Sequence, residues 1–181
     1  MSLLLAILFS LAVAVAVILI IGTLITFLVE RSPYHQQFVQ GHLPASAPQG
    51  FYPGVAHILL DKPVPWLGKS FDSAGQLGFN IFTPLGARIL KVFSPLYRRF
   101  SRNGDGNTHA YYFKTRAGRG QKDAQTEVIK LDYDAPENPL FIRIILDEIV
   151  EIASQQYLGK IHLKLLPGFF VTIGYFGLRK Q

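Results

Sequence analysis

An uncharged apolar segment, LLLAILFSLAVAVAVILIIGTLITFLV, runs from Leu3 to Val29 with nothing more polar than serine or threonine. As a helix it is roughly 40 Å long, which exceeds the roughly 30 Å of a bilayer's hydrocarbon core. Its lack of a polar face argues against a helix packed into a soluble domain. A signal peptide has a basic start and only roughly 7–15 apolar residues. The sequence therefore predicts a retained transmembrane anchor over residues 1–30.

The charges that follow this segment bear on its orientation. Glu30 and Arg31 adjoin it, and Lys62 and Lys69 lie further on. Because basic residues near a span favour the cytoplasmic side, the sequence predicts a single-pass membrane protein with its larger domain in the cytoplasm. The chain has no cysteine, so disulfides say nothing about its redox compartment.

The next segment, residues 31–50, is rich in Pro, Gln, Ser and Gly and shows no helical or strand periodicity. Such a composition predicts a linker that lifts the following domain off the membrane. The remaining residues, 51–181, are numerous enough to bury a compact core. They contain no internal repeat.

Most of this domain has the periodicity of strands. Four segments alternate or are rich in aromatic and β-branched residues: HAYYFKTR, TEVIKLDY, KIHLKLL and FFVTIGYFGLR. Short apolar runs between Pro and Gly in residues 51–82 also favour strands. The segment 133–160 is ambiguous, because its isoleucines would also stripe a helix. The pattern predicts an antiparallel sheet that curls into a barrel or a sandwich.

One segment departs from this pattern. Over about residues 84–102 apolar side chains recur every three or four positions, which predicts an amphipathic helix that Pro95 kinks or divides. The NGDGN sequence that begins at Asn103 predicts a loop. The helix carries five basic residues and no acidic one, Arg88, Lys91, Arg98, Arg99 and Arg102. These cations either lie on an anionic membrane surface or form the solvated face of a helix that caps the barrel.

Several motifs occur in a fixed order, PWLGKSFD, GFNIF, LDYDAPENP, IRIILDEIVEI, YLGK and GYFGLRK. The series resembles an uncharacterised group of small bacterial domains with a W-x-G-K-x-F element, related to the GxWxL-type domains of unknown function. The resemblance covers roughly residues 51–180 and leaves the anchor and the basic helix outside its pattern. It implies a calycin or lipocalin-like β-barrel, here joined to the predicted membrane anchor, and it implies no activity. The predicted fold is thus mostly β, a transmembrane helix followed by this barrel with one amphipathic helix.

Charged residues inside an apolar segment mark the candidate site. Arg143 is predicted to pair with Asp134, Asp147 or Glu148, since a charge inside a barrel must be paired. The resulting network either holds the strand and turn in place or contacts the head group of a ligand. Trp66 either packs in the core or touches that ligand. The candidate ligand-binding residues are Trp66, Lys69, Phe71, Asn80, Tyr133, Asp134, Arg143, Asp147, Glu148 and Tyr157.

Catalytic and metal-binding signatures are absent from the sequence. It has no GxSxG, HExxH or phosphate-binding glycine motif, and its five histidines lack metal-ligand spacing. Asp147 and Glu148 are neighbours on a strand, so their side chains should point to opposite faces. His162 is predicted to be an outward polar position. Neither a cofactor nor a metal is predicted, and an enzyme is disfavoured.

The sequence favours a protein that holds a hydrophobic ligand or a lipid near the bilayer, because a small barrel can enclose one such molecule. The alternative is an accessory subunit of a larger membrane complex, and a small isomerase or hydrolase comes third. Aromatic residues interleave with the basic segment, but strands explain them, and no nucleic-acid partner is predicted. An apolar pocket would distinguish the binder, and an exposed patch would distinguish the subunit.

Overall fold

The computed structural model describes residues 2–58, 64–102 and 104–180. Lys62, one of the charges used to predict the orientation, lies outside these ranges, as does Asn103 at the start of the predicted loop. The helices are α1 (Leu3–Glu30), α2 (Pro33–Gln40), α3 (Pro84–Phe93) and α4 (Leu140–Arg143). The strands are β1 (Gly50–Ile58), β2 (Trp66–Phe71), β3 (Leu77–Phe82), β4 (Ser101–Arg102), β5 (Thr108–Arg119), β6 (Glu127–Asp132), β7 (Ile145–Ala153), β8 (Gln156–Leu166) and β9 (Phe169–Arg179).

The strands form a closed antiparallel barrel. Within the described ranges its order is β3-β2-β1-β9-β8-β7-β6-β5, and β5 pairs with both β6 and β3, which closes the sheet. The short β4 adds to the first two residues of β5. Each of the eight barrel strands that the structure describes thus has two neighbours. The predicted mostly-β fold, with an antiparallel barrel and an apolar N-terminal helix, is confirmed.

Side chains alternate between the inside and the outside of the barrel, as the period of two requires. Aromatic rings fill one end of the interior: the ring centroids of Phe71 and Phe113 lie 5.5 Å apart, and those of Tyr52 and Tyr157 lie 5.3 Å apart. We call this the closed end. Towards the opposite end the inward residues of β7 run from Ile149, which packs in the core, through Asp147 to Ile145, which both line a cavity.

Helix α1 is long and apolar enough to cross a membrane. Its buried residues, Gly22, Thr26 and Val29, all lie in its C-terminal third, where it packs on β9. At its end, Glu30 pairs with Lys160 on β8, at 2.7 Å. The N–H of Thr172 donates to Thr26 at 3.0 Å. The helix thus follows the barrel wall, and the residues before Gly22 extend away from it.

The predicted linker contains a helix, so the expectation of an irregular segment is wrong over Pro33–Gln40. Phe38 of α2 is fully buried, in a cluster with Val150, Leu158 and Tyr175. After α2, His42 exchanges two backbone hydrogen bonds with Glu151 of β7. Periodicity misses α2 because one buried side chain in two turns makes no repeating pattern. This segment therefore follows the outer wall of the barrel.

The predicted basic helix is shorter than expected. Helix α3 ends at Phe93, because Ser94 precedes Pro95 and a residue before proline avoids the helical conformation. The prediction is therefore wrong for residues 94–102, which end in the short β4. The segment 133–160, whose pattern fits a helix or a strand, contains both: one turn of helix in α4 is followed by strand β7.

Candidate ligand-binding cavity

A cavity of about 280 Å³ lies in the barrel interior away from the closed end. Its walls are mainly apolar, and polar groups are gathered on one side. It is lined by Ala56, Val64, Trp66, Lys69, Asn80, Phe82, Tyr111, Tyr133, Ile142, Ile145, Asp147, Ile161, Ile173 and Phe176. Val64 is partly exposed, so the cavity reaches the surface beside it. We call this end the mouth.

A lysine forms the centre of the polar side. Lys69 is 3% exposed. Its Nζ donates to Oδ2 of Asp147 at 2.8 Å, to Oδ1 of Asn80 at 2.9 Å and to the hydroxyl of Tyr133. Burial lowers the pKa of Lys69, and the charge of Asp147 opposes this effect. The two form an ion pair that the barrel shields from water.

Neighbouring polar groups complete this cluster. Asn80 donates to the carbonyl of Tyr111 at 3.1 Å and to the hydroxyl of Tyr133 at 2.9 Å. Tyr133 donates to Oδ2 of Asp147 at 3.2 Å. Burial, and next the charge of Asp147, raise the pKa of Tyr133 well above its ordinary value. Tyr133 therefore stays protonated and acts as a donor to the carboxylate.

Aromatic rings surround the ammonium group of Lys69. Its Nζ lies 4.9 Å from the ring centroid of Phe176 and 5.2 Å from those of Phe113 and Tyr133. The ring of Trp66 is 5.5 Å away, and its Nε1 donates to Oδ1 of Asn80 at 3.0 Å. Ring faces attract a cation, most strongly when it is removed from water. They offset part of the cost of burying Lys69.

The structure brings five of the ten predicted residues to the cavity, namely Trp66, Lys69, Asn80, Tyr133 and Asp147. Phe71 and Tyr157 instead belong to the aromatic core. Tyr111 also lines the cavity, and Tyr175 lies outside the barrel against α2. The sequence prediction of the site did not include Ile145, Ile161 and Ile173, which also line the cavity. The alternation of inward and outward residues along their strands would have identified them.

Arg143 lies outside the cavity, which corrects the idea that it meets a ligand there. Its guanidinium pairs with Asp134 at 2.6 Å, as one of the predicted pairings, and both side chains are substantially exposed. The physical reason is that Arg143 belongs to α4 and precedes β7, so the inward and outward alternation of that strand does not apply to it.

Glu148 points away from the cavity, opposite to Asp147, as the strand period predicts. It is fully buried outside the cavity, with Lys130 at 3.3 Å and His162 at 3.2 Å, and it accepts the N–H of Gln121 at 2.8 Å. Burial alone would raise the pKa of Glu148, but the hydrogen bond and charge of His162, the charge of Lys130 and the Gln121 N–H together lower it. His162 faces outward as predicted, yet it is completely buried, beside Glu148 and Thr172.

The five basic residues of the predicted helix are all exposed. Arg88 and Lys91 lie on α3, and Arg98, Arg99 and Arg102 follow it. Arg99 pairs with Glu137 at 3.4 Å. No group of three histidine, aspartate or glutamate side chains suited to a metal occurs among the described residues.

Comparison with known proteins adds little to this geometry. No family model and no curated protein matches the chain. A crystal structure of a protein from Thermomonospora curvata is similar, with 12% identity, a TM-score of 0.45 and coverage of 83% of this chain and 88% of that chain. The resemblance to a lipocalin-like family stays a prediction.

Proposed function

We propose that this protein is a single-span membrane protein whose barrel binds one single-chain hydrophobic molecule drawn from the adjacent bilayer. The observation that carries the proposal is the cavity, with apolar walls and one buried polar cluster around Lys69. Ligand sites in proteins commonly combine these two features.

The size of the cavity limits the ligand. A volume of about 280 Å³ holds about nine groups of the size of a water molecule, at about 30 Å³ each. That is room for one short hydrocarbon chain with its head group. A two-chain lipid is too large to be enclosed.

The path of α1 supports a mouth that faces the membrane. From Glu30 beside Lys160, the helix runs along the barrel to Gly22, which packs on Val171 and Phe169. Val171 pairs with Leu163, and Leu163 pairs with Ile145, a residue of the cavity wall. The helix therefore passes the mouth and continues beyond it.

The free length of α1 matches a bilayer. The residues from Leu3 to Ile21 lie before the packed part of the helix and span about 28 Å. The hydrocarbon core of a bilayer is roughly 30 Å thick. The membrane surface then lies beside the mouth, and the basic residue Arg31 favours the cytoplasmic side for the barrel.

Exposed apolar side chains surround the same end of the barrel. Phe82 of the cavity wall ends β3, one residue before α3, and Ile142 of the wall belongs to α4. The large exposed apolar residues of α3, of the turn after it and of α4, which we call the apolar rim, are Leu85, Ile89, Val92, Phe93, Leu96, Leu140 and Phe141. Leu96 is 90% exposed. Burial of the rim in the bilayer interface would remove this surface from water.

The five exposed cations flank the apolar rim. Arg88 and Lys91 lie on α3 among the rim residues, and the other three follow Leu96. Each cation near an anionic membrane surface contributes about 1 kcal/mol to its binding. We infer that α3 and α4 rest in the interface, with the cations at the head groups.

A cavity-filling variant tests the binding function. Ala56→Phe places a ring in the cavity, and Ala153→Phe makes the same change at an exposed position outside it. Native mass spectrometry of the full chain, extracted from its own membranes in mild detergent, should show a defined small adduct on the wild type and on Ala153→Phe. Ala56→Phe should lose the adduct. An adduct that Ala56→Phe retains, or a wild type without any, contradicts the proposal.

The absence of cysteine in the chain allows a clean test of membrane contact. A polarity-sensitive dye is attached to Leu96→Cys at the rim or to Phe51→Cys, an exposed position on the opposite side near the closed end. In nanodiscs the dye at position 96 should report an apolar environment and the dye at position 51 should report water. If the dye reports water at both positions, the apolar rim does not contact the bilayer.

A second candidate function is an accessory subunit of a larger membrane complex. The apolar rim also favours it, because a patch of this kind is a typical protein-interaction surface. In this case the dye at position 96 would report water in nanodiscs of the isolated chain. It would report an apolar environment only in preparations that contain a stoichiometric partner.

A further inference from the structure

The donors of the polar cluster are all used by groups of the protein. Lys69 has three N–H donors, and they bond to Asn80, Tyr133 and Asp147. Asn80 uses both of its N–H groups, on Tyr111 and Tyr133. Tyr133 gives its proton to Oδ2 of Asp147. The cluster therefore has no donor left for a ligand.

The orientation of the Asn80 amide follows from its neighbours. Nε1 of Trp66 and Nζ of Lys69 both approach the same atom of Asn80, at 3.0 and 2.9 Å. Both groups are donors and cannot accept, so this atom is the carbonyl oxygen. A reversed amide would place three donors against one another.

One acceptor of the cluster is unused. Oδ1 of Asp147 is buried and accepts no hydrogen bond from any described residue, and Asp147 lines the cavity. A buried acceptor without a donor is unfavourable, so a ligand that supplies the donor gains that interaction. Resting on the proposed binding function, we infer that the cavity selects molecules with an uncharged donor head group, a hydroxyl, that donates to Oδ1 of Asp147.

Charge excludes the other head groups. An anionic head would face the carboxylate of Asp147, and the polar cluster has no free donor for it. A cationic head would add a second positive charge to a site where Lys69 already balances Asp147, and a buried charge without a partner is costly. A chain without a head group would leave Oδ1 without a donor. A single-chain alcohol satisfies both the hydrogen bond and the charge balance.

The test measures the binding of four eight-carbon ligands, which differ in their head group, to the protein in nanodiscs. They are 8-bromo-octan-1-ol, 8-bromo-octanoate, 8-bromo-octylammonium and 1-bromo-octane. Trp66 is the sole tryptophan and lines the cavity, so saturable quenching of its fluorescence by bromine reports occupancy. Affinities are compared at equal bilayer mole fraction. We expect the alcohol to bind at least about tenfold more tightly than each of the others, the effect of one hydrogen bond to a charged group.

The outcomes separate this inference from the proposed function. Equal affinities for the four ligands would overturn the selectivity for an alcohol and would leave a general binder of hydrophobic molecules. Tightest binding of the carboxylate or the amine would also overturn this selectivity. If none of the four ligands quenches Trp66 in a saturable way, both the selectivity and the proposed binding function are overturned. Asp147→Asn leaves Lys69 without its anion and should shift the preference to the carboxylate. The control Asp134→Asn, which changes an exposed carboxyl outside the cavity, should keep the preference for the alcohol. If Asp147→Asn does not fold, the comparison on the wild type still decides.

Discussion

Lys69 and Asp147 form an ion pair inside the barrel, with 2.8 Å between Nζ and Oδ2 on side chains that are 3% and 5% exposed. They lie on β2 and β7, 78 positions apart in the chain. Each charge in such an interior offsets the desolvation cost of the other, and either charge alone is costly. Removal of one partner should therefore destabilise the barrel more than removal of both.

The ion pair yields a prediction about stability. Lys69→Met leaves the carboxylate of Asp147 buried without a cation and should lower the free energy of unfolding by about 3–5 kcal/mol. The double variant Lys69→Met/Asp147→Leu should recover most of this loss. Denaturant unfolding of the full chain in detergent, followed by Trp66 fluorescence, measures both. If the double variant is no more stable than Lys69→Met, the unpaired charge of Asp147 is not the cause of the lost stability.

The carboxyl of Glu148 predicts a loss of stability in acid. Its pKa in the folded state is lower than the ordinary value of 4.5, so the unfolded chain takes up the proton first as the pH falls. The contribution of Glu148 is therefore complete above pH 4.5 and is lost as the pH falls below that value, towards the folded pKa.

Unfolding free energies measured from neutral pH into this acid range check the prediction. Glu148→Gln should be less stable at neutral pH and should show a flatter pH dependence than the wild type. Asp134→Asn, at an exposed carboxyl, serves as the control and should keep the wild-type slope. An unchanged slope in Glu148→Gln would assign the acid sensitivity to other groups.

The close packing of α1 on the barrel predicts the effect of a larger residue at Gly22. A Cβ there would lie 2.5 Å from Cγ2 of Val171 and 3.0 Å from the ring of Phe169, and valine is stiff about its first side-chain bond. Gly22→Leu should destabilise the contact by about 1–3 kcal/mol. The amide of Thr172, which donates to Thr26, should then exchange its hydrogen faster.

The control for Gly22→Leu is Ala12→Leu, which introduces the same residue at an exposed position of the same helix. It should leave the exchange of the Thr172 amide unchanged. Equal exchange rates in the two variants would mean that α1 and β9 are not held together by this contact.

The exposed pair of Arg143 and Asp134 predicts a small effect. An ion pair at the surface contributes little, because water screens the charges and long side chains lose freedom. Arg143→Met should change the free energy of unfolding by no more than about 1 kcal/mol. It should also leave the quenching of Trp66 by bromo-octanol unchanged. A loss of that quenching would place Arg143 in the ligand site after all.

Local patterns predicted much of this fold and part of the site. The alternation in TEVIKLDY and KIHLKLL identified β6 and β8, and the same period separated Asp147 from Glu148 on the two faces of β7. Arg143 was misplaced because a single turn of helix, too short to show a period, directly precedes that strand. Helix α2 was missed for a related reason, since Phe38 is its one fully buried residue.

The sequence by itself determined what depends on neighbouring residues, namely an apolar helix long enough for a bilayer, and strands with two distinct faces. Only the tertiary structure decided which distant side chains meet, because the closure and register of the barrel place Lys69 against Asp147 and Asn80 against Trp66. The periodicity of neighbouring residues predicts neither the register of the strands nor the closure of the barrel. The position of the mouth beside α1 is likewise set by packing between distant parts of the chain, where Gly22 meets Val171.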